Sequence, residues 1–375
     1  MKFVIFADRS YNYIKPLANG LQKTLIEMGH SSEILYNGIY WLSDLNLFKV
    51  VIADIYRIYL NIKHKQKDLF IYRFFGLFFF LTAKRRKLLK ECDCIIIVNN
   101  CPSAFLKNKR IDWLREKFNK PIVNYDFHYL PNQGWWKYMN EGYRGLEQYD
   151  WYLPVGLVTE FAIPKGIPKI YTCIGMDVNS KDLYPEQDDF IVLLDFPRPG
   201  HEIKRSEEKK TLEELGVKFI ELHGRYTTKQ IRAIYRKASV YLVSCRESFG
   251  LPIVELQLCG AKIFTPYLEW VPAHYLNKSI NKKSAGLLGE NFVVYENKDG
   301  LKKALQKAKI EFNASKNVEK FKEDYPFYNQ ISNKMLETFV LKLKEGAITS
   351  QSHEEYKKYN GFISKDDDYK QSDRI

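Results

Sequence analysis

Glu247 and Glu255 stand eight positions apart, on either side of a turn that reads Ser248-Phe-Gly-Leu-Pro252. An apolar strand candidate, Ser239–Ser244, leads into them. Pro252 suits the opening of a helix, where its missing N–H would be unpaired anyway. Gly260 suits its stop, and Lys262–Thr265 reads as the next strand. The helix Ile253–Cys259 is apolar almost all round, so the pattern buries it. A carboxylate one turn into such a helix is costly unless it accepts hydrogen bonds. A turn whose free N–H groups sit at a helix N-terminus favours an anion such as phosphate. Two carboxylates able to accept from hydroxyls, beside an anion cradle, make the chemistry for holding a sugar nucleotide. The alternative is a buried glutamate paired with an arginine in an ordinary Rossmann-like domain.

Glu-Ser-Phe-Gly-Leu-Pro-x-x-Glu, followed by Gly260-x-x-Ile263, resembles the donor-site signature of family 4 glycosyltransferases. These are retaining enzymes with the GT-B fold, and the resemblance implies an α/β protein of two Rossmann-like domains facing across a cleft. It implies that Glu247 contacts the hydroxyls of the donor sugar and Glu255 those of the ribose. Ser248 and the amides from Phe249 through Gly250 to Leu251 would face the sugar and diphosphate. The family keeps an Arg and, about five residues on, a Lys, both on the diphosphate. Arg198 fits the first; Lys204 lies six on and Arg205 seven, so the second role is shared. Cations there would stabilise the charge that grows on a departing nucleoside diphosphate; the alternative is surface charge on a loop. His223-Gly224-Arg225-Tyr226 falls where the family places contacts to the nucleotide base. His128 stands one position from where many members carry a sugar-contacting histidine, and its alternative is a hydrogen-bonded surface residue. The likeness covers roughly residues 90 to 310 and is dense only from 217 to 266.

The elements that would carry these residues begin with Lys2–Ala7 as a buried strand. Ile14, Leu17, Leu21, Leu25 and Met28 follow at helical spacing, closed by Gly29, and Ser32–Tyr36 reads as a second strand. Strand–helix–strand order predicts a parallel, doubly wound sheet. The first loop, Asp8–Asn12, lacks the glycine pair that family members often carry there. Further strands are predicted at Glu91–Asn99, Pro121–Tyr125 and Asp150–Val155, with Asp126 and His128 at a strand's C-terminal end, where open α/β sheets bind ligands. Asn132–Tyr143 reads as an aromatic loop suited to an acceptor sugar or a lid. The domains expected are 1–180 on the acceptor side, 181–345 for the donor, and 346–375 as a flexible polar tail. Asn317–Leu343 reads as helix.

Composition bounds the partners. The chain has 375 residues and a formal net charge of +13, so acidic partners are expected. Between Arg57 and Lys90, ten Lys or Arg stand against Asp68 alone, a net of +9 around the aromatic run Leu69–Leu81. That run is short and interrupted by Arg73, which predicts a segment lying on an anionic membrane rather than crossing it. The alternative is a core helix with a solvated basic face. Nucleic acid is not expected, because no RNA or DNA module motif occurs. The six cysteines are scattered, without a His cluster, so neither zinc nor a disulfide framework is expected and a reducing cytoplasm fits. No Asp-x-Asp metal motif is evident, so no metal and no cofactor is expected.

The function these readings imply is transfer of a sugar from a nucleotide-sugar donor to a saccharide or lipid-linked acceptor, in cell-envelope polysaccharide synthesis. The place implied is the cytoplasmic face of the membrane. The alternatives are a sugar-nucleotide epimerase, or a GT-B protein that binds membrane or polysaccharide without turnover. A phosphorylase of that fold would need a pyridoxal-phosphate lysine site, which is not seen.

Overall fold

The computed structural model describes residues 1–7, 14–36, 59, 83–98, 109–127, 146–156, 169–178, 180–245, 247, 249–266, 274, 276 and 287–359. The chain divides into two units. The first comprises 1–155, 163–176 and 331–375; the second comprises 156–162 and 177–330.

In the first unit β1 (Lys2–Ala7), β2 (Ser31–Tyr36), β3 (Cys94–Val98), β4 (Ile122–Asp126) and β5 (Trp151–Pro154) form one sheet in the order β2-β1-β3-β4-β5. Every pairing is parallel, for instance Phe3 with Cys94 and Ile95 with Ile122. The sheet is parallel because each strand is followed by a crossover rather than a tight turn. The described crossovers carry α1 (Ile14–Glu27), α2 (Ala83–Glu91) and α3 (Lys109–Phe118). β3 and β4 are buried at every position, as strands covered on both faces must be. The expected strand at Glu91–Asn99 starts later, at Cys94, because Glu91 still closes α2.

In the second unit β6 (Val192–Leu194), β7 (Phe219–Glu221), β8 (Val240–Leu242), β9 (Lys262–Thr265) and β10 (Phe292–Val294) form a sheet in the order β10-β9-β8-β6-β7, again all parallel. The described α-helices are α4 (Glu202–Glu214), α5 (Thr228–Lys237), α6 (Leu251–Leu258), α7 (Lys298–Glu311) and α8 (Ala314–Asp324). The core joins Val192, Leu194, Val240, Leu242 and Phe264 of the sheet to Leu212 of α4 and to Leu301 and Leu305 of α7. Thr227 opens α5 with a reciprocal capping box to Gln230, as its T-x-x-Q spacing predicts.

Two expectations are corrected here. The long helix expected over Asn317–Leu343 is two helices, α8 and α9 (Asn333–Lys344), and they belong to different units. Pro326 separates them, since it cannot donate to a continuing helix and restricts the residue before it. The flexible tail expected from 346 is also wrong as far as residue 359. His353 and Tyr356 in the short helical stretch Ser352–Tyr359 are buried. They close over Asp150, which is itself fully buried. Asp150 Oδ1 accepts from the backbone N–H of His353 at 3.1 Å and lies 2.6 Å from its Nδ1, while the Tyr356 hydroxyl donates to the Asp150 carbonyl at 3.0 Å. Polar composition suggested solvent, but this carboxylate needs donors and the C-terminal stretch supplies them.

Of the basic segment 57–90, the described part is residue 59 and α2. There Leu89 is buried while Arg86, Lys87 and Lys90 are exposed, so this helix carries a solvated basic face. The aromatic run Leu69–Leu81, the loop Asp8–Asn12 and the loop Asn132–Tyr143 lie outside the described residues. Among the described residues no helix is long and apolar enough to cross a membrane.

Candidate functional site

In an open parallel sheet, ligands bind beyond the carboxyl ends of the strands, at the point where successive connections run to opposite sides. In the second unit that point lies between β6 and β8, because β7 was laid down on one side of β6 and β8 on the other. The residues that follow β6 and β8 are therefore the ones placed to meet a ligand.

Asp195 follows β6 directly and is buried. Its Oδ1 accepts from the N–H of Phe196 at 2.7 Å, and its Oδ2 accepts from the Cys245 thiol at 3.4 Å. Burial, then the neighbouring Asp195 carboxylate, pushes the Cys245 thiol up to about 12, so at neutral pH it is a proton donor and not a nucleophile. Three residues after Asp195, Arg198 turns toward the segment following β8. Its guanidinium nitrogen Nη2 lies 3.9 Å from Glu247 Oε2, with half of the arginine side chain still in solvent. Burial works against the Arg198 charge, but Cys245, Asp195 and Glu247 outweigh it and hold its pKa above the ordinary arginine value. The two residues that the sequence singled out for the donor thus stand together, although they are far apart in the chain.

The turn between Glu247 and α6 explains why Gly250 is there. Gly250 has φ +63°, in the left-handed region, and caps α6. A Cβ at this position would stand 2.7 Å from Glu247 Cγ and 2.9 Å from Ile253 Cδ1. The glycine therefore permits both the backbone turn and the approach of the Glu247 side chain. Phe249 points inward and is buried, stacked on His274 at 5.6 Å and edge-on to Tyr328 at 5.0 Å. His274 Nε2 donates to the Phe249 carbonyl at 2.7 Å, which fixes the turn from beneath. Complete burial pulls His274 down to about 4, so it is a neutral positioning group. Leu251 begins α6, and Pro252 occupies its second position.

Glu255 is buried within α6, and its partner is Arg232 of α5, the arginine alternative that its burial raised. Arg232 Nε and Nη2 reach Glu255 Oε1 at 3.1 Å and 2.6 Å. Nη2 also donates to the Val178 carbonyl at 2.8 Å, and Nη1 lies 3.9 Å from the exposed Asp182. Burial pushes the Glu255 carboxyl up, against the pull of Arg232. Both hydrogen bonds from the arginine fall on the same oxygen, Oε1.

Lys204 lies on α4, with its Nζ 5.0 Å from the centre of the Tyr295 ring. Arg205 donates from Nε to the Asp195 carbonyl at 2.8 Å and pairs with Glu221 at 3.3 Å, so it braces the end of β6. Gly224 and Arg225 follow β7 and are exposed, with Tyr226 placing its ring 6.0 Å from Phe196. Ser248 and His128 lie outside the described residues. The switch point of the first sheet lies between β1 and β3, and the loops leaving both strands are likewise outside them. Among the described residues no group of three His, Cys, Asp or Glu side chains could hold a metal ion.

Four buried polar residues here were not singled out from the sequence: Asp195, Glu208, Arg232 and His274. Asp195 had a signal, its place directly after the apolar run Ile191–Leu194. Glu208 had another, since Glu208, Thr211, Leu212 and Leu215 follow helical spacing and place a carboxylate on the inward stripe of α4. Arg232 and His274 are buried by partners distant in sequence, Glu255 and Phe249, and carry no local mark.

No family model matches the sequence, and no curated protein is similar to it. Among solved structures, the chain is similar to an alpha-glucosyltransferase in complex with UDP-glucose and DNA containing an abasic site. There 11% of residues are identical, 92% of this chain and 99% of that one are covered, and the TM-score is 0.48. It is also similar to CalG4, the calicheamicin glycosyltransferase, at 10% identity over 92% of this chain and 99% of that one, with a TM-score of 0.46. A third is the glycosyltransferase VinC in complex with DTDP, at 12% identity over 92% and 99%, with a TM-score of 0.43. At such identities and scores these likenesses add no argument about activity. The α/β class stands on the two five-stranded parallel sheets themselves.

Proposed function

We propose that the protein is a retaining glycosyltransferase of GT-B type that moves a sugar from a nucleotide-sugar donor to a saccharide or lipid-linked acceptor. The observation that carries this is the meeting of Arg198 and Glu247 at the switch point of the second sheet, beside the Gly250 turn that opens α6. Arg198 and Lys204 receive the diphosphate, aided by the amides of the turn from Phe249 to Leu251. Glu247 accepts from hydroxyls of the donor sugar and fixes its pose. Glu255 reaches the ribose through Oε2, its other oxygen being held by Arg232. Gly224 and Arg225 lie at the base. In the reaction the acceptor hydroxyl oxygen bonds to the anomeric carbon as the carbon–oxygen bond to the diphosphate breaks. The bonding pair leaves on the diphosphate, and the hydroxyl proton passes to it. Fixed cations aimed at that leaving group stabilise the transition state without a metal.

A thermal-shift panel of nucleotide sugars tests the reading. One or a few should raise the melting temperature, and the same ones should release nucleoside diphosphate when a saccharide or lipid-linked acceptor is supplied. A panel without any shift would remove the proposal.

The reading extends to a place of work on an anionic cytoplasmic membrane face, in envelope polysaccharide synthesis. It is supported by the net +9 of residues 57–90 and the exposed Arg86, Lys87 and Lys90 on α2. Each basic residue near such a surface contributes about 1 kcal/mol, screened by salt. Wild type should co-sediment with anionic liposomes at low salt and release as salt rises. Neutralising Lys84, Arg85, Arg86 and Lys87 together should cut that binding while leaving nucleotide binding intact. A wild type indifferent to anionic liposomes would point to a soluble acceptor instead.

A further inference from the structure

Among the described residues Glu208 is the most enclosed carboxylate of the second unit that the proposed reaction leaves unused, at 1% exposure. It projects from α4 between the ends of two strands. Ser244, after β8, donates its hydroxyl to Oε2 in a very short hydrogen bond. Tyr295, after β10, donates its hydroxyl to Oε1 at 2.5 Å. With both hydroxyls donating, the arrangement suits an ionised carboxylate, and reversal of either hydroxyl would let the same contact hold a proton. An ionised carboxylate in such a place needs a nearby cation as well as hydrogen bonds.

The cation is Lys204, one helical turn earlier on the same face of α4. It does not touch the carboxylate. Its ammonium lies over the ring of Tyr295, the residue whose hydroxyl holds Glu208. Asp195, from the end of β6, acts on Glu208 in the opposite sense, as a like charge. The groups that face Glu208 from all sides are thus Lys204 on its own helix, the Ser244 and Tyr295 hydroxyls, and Asp195. Burial is the main influence on this carboxyl and raises its pKa above the ordinary glutamate value, while the two hydroxyls and Lys204 hold it down. Removing the lysine field would release part of that restraint.

We propose that Lys204 is shared between two negative charges, Glu208 in the free protein and the donor diphosphate in the complex, and that Glu208 is a positioning residue which takes a proton from solvent when the lysine leaves it. This rests on the reading that Lys204 meets a diphosphate. The Lys204 side chain swings from the Tyr295 ring to the diphosphate, one proton from the buffer binds a Glu208 oxygen, and the hydroxyl on that oxygen turns from donor to acceptor. Glu208 therefore keeps the lysine in readiness beside the anion site without holding it in a direct ion pair. In the complex it becomes neutral rather than standing as a buried, uncompensated charge. Release of the nucleoside diphosphate returns the proton to the buffer and lets the lysine swing back to the Tyr295 ring.

The experiment is calorimetric titration in buffers of different ionisation enthalpy at pH 6.5, which counts protons taken up per ligand bound. The probe is whichever of ADP, GDP, UDP, CDP or dTDP raises the melting temperature most. Wild type should take up more protons than Glu208→Gln, which subtracts protons exchanged by the nucleotide itself. Glu208→Gln should bind the diphosphate no more weakly than wild type, because its lysine is no longer claimed by a carboxylate. A role in packing alone would lower stability and leave the proton count unchanged. Lys204→Met reads the same coupling from the other side and serves if Glu208→Gln does not fold. It should bind the diphosphate more weakly and lose the uptake, since Glu208 is then uncompensated before any ligand arrives. Equal proton counts in wild type and the variants would overturn the shared lysine while leaving diphosphate binding in place. Failure of all five diphosphates to bind would overturn the site reading and this inference with it.

Discussion

Replacing Arg198 with alanine should lower turnover by about two to three orders of magnitude, the usual cost of removing a fixed donor aimed at transition-state charge. The guanidinium is placed for this by the turn that follows β6 and by its approach to Glu247 at 3.9 Å. It stays charged throughout the working pH range, because Cys245, Asp195 and Glu247 outweigh the burial that opposes its charge. The effect should fall mainly on turnover rather than on donor affinity, as expected for an interaction that strengthens as the diphosphate departs. Glu247→Ala should share that pattern, since in the proposed reaction Glu247 fixes the pose of the sugar. Chelators should leave wild-type activity nearly unchanged. Full inhibition by a chelator, reversed by a divalent ion, would show that metal and not Arg198 carries the leaving group.

Arg232→Met should destabilise the second unit by about 3–5 kcal/mol, the range for removing one partner of a buried ion pair. The substitution strands Glu255 inside α6 and removes the hydrogen bond that Nη2 makes to Val178. The loss should depend on pH. Burial already raises the Glu255 carboxyl, and Arg232 is what pulls it back. Without the arginine the native state binds this proton more tightly than the unfolded chain does. Stability then falls as pH rises through the native value and is partly recovered on acidification. Urea unfolding at pH 7 and pH 5 should show the Arg232→Met deficit shrinking at the lower pH. Adding Glu255→Gln to Arg232→Met should recover part of the deficit at pH 7. A deficit that is small at both pH values would mean that the pair carries little of the fold.

Much of the candidate site is legible in the sequence because its signals are local. Strand, tight turn, Pro252 and Gly260 all lie within one short window, and each punctuates structure through its own backbone chemistry. The capping box at Thr227 and the helix closed by Gly29 are legible for the same reason. What was not legible depended on partners brought in by the fold. The arginine that pairs with Glu255 could not be named from the sequence, because Arg232 arrives from another helix. The C-terminal stretch looked like solvent-exposed tail because Ser352–Tyr359 is polar, yet Asp150 draws His353 and Tyr356 into the first unit across about two hundred positions. Glu208 was hidden in a charged helix for the opposite reason. Most positions of α4 are charged, and its inward stripe is marked only by Thr211 and Leu212.

The central claim is that a sugar nucleotide binds at the switch point of the second sheet, against the turns that follow β6 and β8. Amide hydrogen exchange followed by mass spectrometry, with and without the nucleotide sugar that shifts the melting temperature most, reads this location directly. Protection should concentrate in peptides spanning 195–205 and 243–256, with a smaller effect at 222–227, and should be lost together with affinity when the turn is altered by Gly250→Val. Protection confined to residues 1–155, or a saturating ligand that leaves 195–205 and 243–256 unchanged, would contradict it.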